Sequence, residues 1–263
     1  MSTKLNYIDV GSGPTVLLIH GLAGDHTAWI PYIETLKANY RVIAFDNLGA
    51  GRSAPAPKGV ALIDLAKETL ALLDTLNVRS CHVVGRSMGG AVAQEMIRLQ
   101  PERLESIVLA ASLAKLDAMG KRLIENMRDL IVWGRSWADW ARMSSPSFIS
   151  PKFFIEQPEQ LAKVERLLSD EARDRDSYVN LANAVLAFDS TSWLSQVKTP
   201  TLIMAGRADP ICSMICTQWM IDRLPHAKVE VFEDCSHFFL MEEPKRSMET
   251  IKHWLETSSL TSP

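Results

Sequence analysis

The stretch VVGRSMGGAV, Val83 to Val92, joins an apolar β-branched run to a helix-forming one and places a single serine, Ser87, where the two meet. Val83 and Val84 follow Cys81 and His82 with strand composition, whereas Met88 continues into Ala91, Val92, Ala93 and Gln94, which favours helix. Gly85 and Gly89 flank the serine at two residues either side, with Gly90 following, in a Gly-x-Ser-x-Gly spacing. The spacing has a steric logic: a sharp strand-to-helix turn strains the serine backbone and packs its neighbours too closely for Cβ atoms. Such a turn lifts the Ser87 hydroxyl above the sheet edge. The helix starting at Met88 then aims its free N–H groups and positive dipole end at negative charge formed beside that oxygen.

The same alternation extends over most of the chain. Strand-like runs occupy 15–21, 40–49, 80–87, 104–112, 199–209 and 227–234, and helical spacing marks 28–38, 61–76, 88–99, 213–224 and 244–257. Near-continuous apolar strands separated by helices predict an α/β fold, a mostly parallel central sheet flanked by helices on both faces. The alternation stops between Lys115 and Trp193, where the sequence reads as helices only, punctuated by Pro146 and Pro151. The expected organisation is therefore a core of residues 1–114 and 194–263 interrupted by an all-helical lid over 115–193. The SSLTSP tail, 258–263, is expected to fray.

Composition narrows the function classes. The 263 residues are 47% hydrophobic and 22% charged with a net charge of -3, which gives no electrostatic footprint for nucleic acid. The N-terminus lacks a basic region followed by an apolar one, and no apolar run approaches the roughly 20 residues that span a bilayer. A cytoplasmic protein without a membrane span is expected. Cys81, Cys212, Cys216 and Cys235 form no CxxC pair, so they read as reduced buried thiols, and no metal site is indicated.

A serine hydroxyl is a weak nucleophile at neutral pH and needs a base, which in turn needs an orienting acid. His237, in EDCSHFFLMEEP, falls in a loop past the last strand, at the sheet edge where the strand ends converge. His82 lies inside a strand, His253 in a terminal helix and His226 in a turn, which leaves His26 as the rival base. Asp209, in AGRADP, stands at another strand end, with Pro210 stopping the strand; Asp117 is a second candidate acid. The chain order Ser87, Asp209, His237 is nucleophile, acid, base. HGLAG, residues 20–24, can present the Leu22 N–H opposite that of Met88, so that two donors converge on one oxygen. His20, preceding the turn, reads as a structural hydrogen-bonder.

HGLAGDHTAW, DNLGAGRS, GRSMGG, GRADP and CSHF, in this order over nearly the whole length, resemble the α/β-hydrolase superfamily, and most of all its compact branch of enol-lactonases, carboxylesterases and haloperoxidase-like enzymes. The resemblance implies triad roles for Ser87, His237 and Asp209 and an oxyanion hole from Leu22 and Met88. Two positions depart from it. Leu48 replaces an arginine that relatives often carry, and Arg86 precedes the nucleophile where His, Asn, Trp or Leu is usual.

Trp133, Trp137 and Trp140 recur at i, i+4 and i+7, with Met127 and Met143 nearby, so one face of a lid helix is expected to pack on the core or to roof an apolar pocket. Trp29, Phe238 and Phe239 are the candidate contributions from the core, and Arg86 is either the partner of a substrate carboxylate or a structural group held in an ion pair or a hydrogen bond to a loop carbonyl. The resulting expectation is an enzyme that cleaves a small, largely apolar carboxylic ester or lactone through an acyl-enzyme, without metal or organic cofactor. A carbon–carbon bond hydrolase of ring-cleavage products and a ligand-sensing protein with slow turnover use the same fold and a similar triad, and stand as the alternative readings.

Overall fold

Seven short strands, the inner five strongly aliphatic, pair into one sheet, and the computed structural model describes residues 4–258. The strands are β1 (Tyr7–Val10), β2 (Thr15–Ile19), β3 (Arg41–Phe45), β4 (Cys81–Arg86), β5 (Leu104–Ala110), β6 (Thr201–Gly206) and β7 (Lys228–Phe232). Their order is β1-β3-β2-β4-β5-β6-β7, parallel throughout except for β1, which runs antiparallel to β3. β1 is not among the strands expected from the sequence. Its side chains alternate between exposed and half-buried at the sheet edge, so it carries no apolar run to announce it.

Alternation along each central strand divides the core into two layers. Leu17, Ile19 and Val83 face α2 (Leu62–Thr75) and α3 (Met88–Leu99), while Val16, Leu18 and Val84 face α1 (Ile30–Leu36) and the C-terminal helix. Each fully buried aliphatic side chain of this kind stabilises the fold by about 1.5–3 kcal/mol. Parallel strands with both faces covered are the arrangement that such apolar runs require.

Between β5 and β6 the chain makes five consecutive helices, α4 (Ala118–Val132), α5 (Trp137–Phe148), α6 (Pro151–Glu156), α7 (Pro158–Leu168) and α8 (Arg175–Ala187). The two ends of this insertion are stapled together by a bridge between Lys115 and Asp189 and by the Ser190 N–H donating to Ala114 O at 2.8 Å. The expected single tryptophan face is broken. Gly134 at φ +79° ends α4 and Ser136 caps α5, so Trp133 lies on the C-cap of α4 and is 72% exposed. Pro146 does not end a helix as its type suggested: it lies inside α5, and the carbonyl of Arg142 that it leaves free accepts from Ser145 Oγ at 3.1 Å.

The chain returns through β6, α9 (Met214–Arg223), β7, α10 (Phe239–Glu242) and α11 (Pro244–Ser258). Ser258, expected in the frayed tail, is buried at the end of α11 with its Oγ 3.1 Å from Ser106 Oγ; the rest of that tail lies outside the described residues. All four cysteines are unpaired and buried. No helix among the described residues is long and apolar enough to cross a membrane.

Candidate active site

The site forms where β4 turns into α3. Ser87 adopts φ 55° and ψ -122°, a strained conformation for a residue with a Cβ, and its N–H donates to Ala110 O at 2.8 Å. The flanking glycines permit the turn by absence. A Cβ on Gly85 would stand 2.6 Å from Gly89 O, and one on Gly89 would stand 2.2 Å from Ile19 O, both inside backbone that cannot yield.

The loop after β7 brings His237 over this turn, with Nε2 at 3.1 Å from Ser87 Oγ. Nδ1 of the same ring lies 2.7 Å from Asp209 Oδ2, at the end of β6. The other carboxylate oxygen of Asp209 accepts from the N–H groups of Ile211 at 2.8 Å and Cys212 at 3.0 Å, which fixes the plane of the acid. Asp209 and His237 are both buried, and Ser87 is half-buried with its hydroxyl at the head of the relay. Three residues from three strand ends thus form one continuous hydrogen-bonded chain, in which a proton of Ser87 can pass to His237 while Asp209 orients the ring.

The HGLAG segment turns beside Ser87, with Gly24 N–H donating to Gly21 O at 3.2 Å. Neither the Leu22 nor the Met88 N–H donates to a protein acceptor among the described residues. His20 lies beneath the turn and holds it. Its Nδ1–H donates to Gly21 O at 3.2 Å and its Nε2 accepts from Arg86 at 3.2 Å, a pair of contacts that only the neutral ring makes. Burial, reinforced by the Arg86 charge, pushes the His20 pKa down to about 3. The Arg86 guanidinium lies 4.0 Å above the Phe238 ring, its own pKa pushed down to about 10 by burial against the opposing pull of Asp209.

The rival candidates occupy other places. Asp117 caps α4 through the Gly120 N–H at 2.7 Å and also accepts from Ser213 Oγ. His26 Nδ1–H donates to Asp46 Oδ1 at 2.6 Å, away from the Ser87 relay. Burial opposes ionisation of Asp46, but hydrogen bonds from the His26 and Arg52 N–H groups and from the His26 and Asn6 side chains outweigh it and hold its carboxyl below the usual range. Leu48, at the variant position, is buried in the core.

The pocket residues divide. Trp29 packs with Tyr32 in the layer of α1 and α11, on the sheet face opposite the inserted helices, and so does not reach the pocket. Trp133 points to solvent. Trp140 is buried within the insertion, its indole N–H donating to Tyr178 Oη at 3.0 Å, and Trp137 packs against both rings. Of the stripe, Trp137 lines a cavity of about 500 Å³ beside the site, bounded by Gly21 and Met88 on the core side and by Arg173, Asp174 and Tyr178 on the other, with His26 and Asp46 but not Ser87, Asp209 or His237 in its wall. Its wall mixes charged and aromatic side chains. Phe238 stacks on Phe148 of α5 at 4.9 Å, and the Phe148 ring lies 6.4 Å from His237. Phe148 and Arg173 escaped the sequence reading because nothing local to either residue ties it to the β4 turn.

Residues 16–249 match the model of the alpha/beta hydrolase family. The chain belongs to that family. This hydrolase is 31% identical over 231 residues to a protein of Stutzerimonas stutzeri (strain A1501) provisionally named carbamate hydrolase RutD, covering 85% of this chain and 84% of the relative. It is 28% identical over 246 residues to the 3-oxoadipate enol-lactonase 1 of Acinetobacter baylyi, covering 94% and 90%. Among solved structures, a thermophilic esterase from Thermogutta terrifontis superposes on the hydrolase with a TM-score of 0.85 at 28% identity, covering 97% of this chain and 93% of that one.

Proposed function

We propose that this hydrolase cleaves a carboxylic ester or lactone of a small substrate through an acyl-enzyme, with Ser87 as nucleophile, His237 as general base and acid, Asp209 as the orienting acid, and residues 115–193 as a lid. The observation that carries the reading is the relay from Ser87 Oγ to His237 Nε2 at 3.1 Å and from His237 Nδ1 to Asp209 at 2.7 Å. His237 takes the hydroxyl proton as Ser87 attacks the carbonyl carbon, and Asp209 holds the ring with Nε2 free to accept it. The two free N–H groups, Leu22 and Met88, bind the oxyanion, and α3 adds its positive end. His237 returns the proton to the departing alkoxide, then activates water to release the acid.

The named activities of the relatives, enol-lactone and carbamate hydrolysis, both cleave a bond to an acyl carbon, which this machinery serves. The test is burst and steady-state hydrolysis of p-nitrophenyl acetate and butyrate by wild type and Ser87→Ala. Multiple turnovers abolished by Ser87→Ala support the reading. A single stoichiometric burst points to a slow sensor, and turnover of a dienoic ketone without turnover of esters points to carbon–carbon bond hydrolysis.

A further inference from the structure

The Gly21–Gly24 turn carries an unrelieved oddity. Ala23, its third residue, stands at φ 60°, whereas Leu22 does not, the pattern of a type II turn whose third position ordinarily takes glycine. An alanine there resists the left-handed conformation, and its return to negative φ would turn the adjoining peptide planes, one residue from the Leu22 amide. Something outside the turn must hold Ala23. From below, His20 bonds Gly21 O, and its ring fills the space a Cβ on Gly24 would need. From above, the Arg173 guanidinium, in the connection between α7 and α8, donates to Ala23 O. Its second terminal nitrogen donates to Leu167 O in α7 at 3.2 Å, and the group lies 5.9 Å from the Trp137 ring. One side chain thus spans α7, α5 and the donor loop.

We infer that Arg173 is a positioning residue for the oxyanion hole, holding the Leu22 loop in its donor conformation so that the site is complete only with the lid seated. The inference rests on the serine-hydrolase reading above. A planar fork with several fixed donors suits the task, since it bonds two carbonyls on different segments at once. A lysine ammonium lacks that fork. The consequence is kinetic: loss of the tie should weaken the transition state, in which the oxyanion exists, more than the ground-state complex.

The experiment is steady-state hydrolysis of p-nitrophenyl acetate by wild type, Arg173→Ala and Arg173→Lys, with and without sub-denaturing guanidinium chloride, and with Tm followed alongside. Arg173→Ala should lose about 10- to 100-fold in kcat, less than the roughly 10²- to 10³-fold of deleting a donor outright, with KM changed less than about threefold. Added guanidinium should restore part of that loss and leave wild type unchanged, and Arg173→Lys should fall between the two. An unchanged kcat in folded Arg173→Ala, or a loss that guanidinium does not reduce, overturns the inference while leaving the hydrolase reading intact. If Arg173→Ala does not fold, Arg173→Lys decides by the same two criteria. Absence of Ser87-dependent turnover in wild type overturns the reading itself and the inference with it.

Discussion

The two oxygens of Asp209 hold different partners, and this asymmetry predicts how the acid fails. Because Oδ1 accepts from two backbone N–H groups, the amide of Asp209→Asn would turn its oxygen toward Ile211 and Cys212 and its NH₂ toward His237 Nδ1. That orientation forces the proton onto Nε2, where it blocks acceptance from Ser87. A fall in kcat of about 10³- to 10⁴-fold is expected with Tm nearly unchanged; equal losses in both would mean that Asp209 serves the fold alone. His20 makes a pH prediction. Its pKa falls from 6.5 unfolded to about 3 in the fold, so the unfolded chain binds the extra proton between those values. Its contribution to stability is therefore whole above about pH 6.5 and is lost progressively as pH falls toward 3, with a ceiling of about 5 kcal/mol. Urea unfolding at about pH 7 and about pH 4.5 should show a smaller pH effect in His20→Gln than in wild type; equal effects would remove His20 from the acid response.

Elements reveal where sequence patterns hold and where they end. The inner parallel strands β2 to β6 were legible because each is covered on both faces and so reads as a near-continuous apolar run, and edge strand β7 through the alternation of its KVEVF sequence, whereas edge strand β1, with Tyr7 and Asp9 facing outward, offers only two half-buried residues. Ser87, Asp209 and His237 could be placed because strand ends of such a sheet converge, and the turn chemistry restricts the residue types there. The tryptophan stripe failed for a local reason. Helical spacing relates Trp133 to Trp137 only while the helix continues, and Gly134 interrupts it. Trp29 failed for a global one, since periodicity shows that a side chain is buried but not on which side of the sheet. The difference is measurable: Trp140→Ala should destabilise by about 3–5 kcal/mol, and Trp133→Ala should stay within about 0.5 kcal/mol of wild type. Comparable losses in chemical denaturation would contradict this division of the insertion.

Across the whole molecule, stability is unevenly distributed. Strands β2, β4 and β5 are nearly wholly buried, yet α6 and α7 bury no residue completely. Local opening of α6 and α7 should therefore expose their amides to hydrogen exchange long before those of the central strands, and exchange read by mass spectrometry would show it. Uniform protection would mean that core and insertion unfold as one unit. The four thiols distributed through this architecture share one condition, since burial raises each pKa, to about 12 for Cys81 and Cys235. Thiolate, the reactive form, is scarce at all four. The native chain is consequently a ready background for site-specific reporters: a cysteine introduced on the outer face of α7 would take a maleimide fluorophore ahead of the native thiols, and the environment of the inserted helices could be followed without first rebuilding the core.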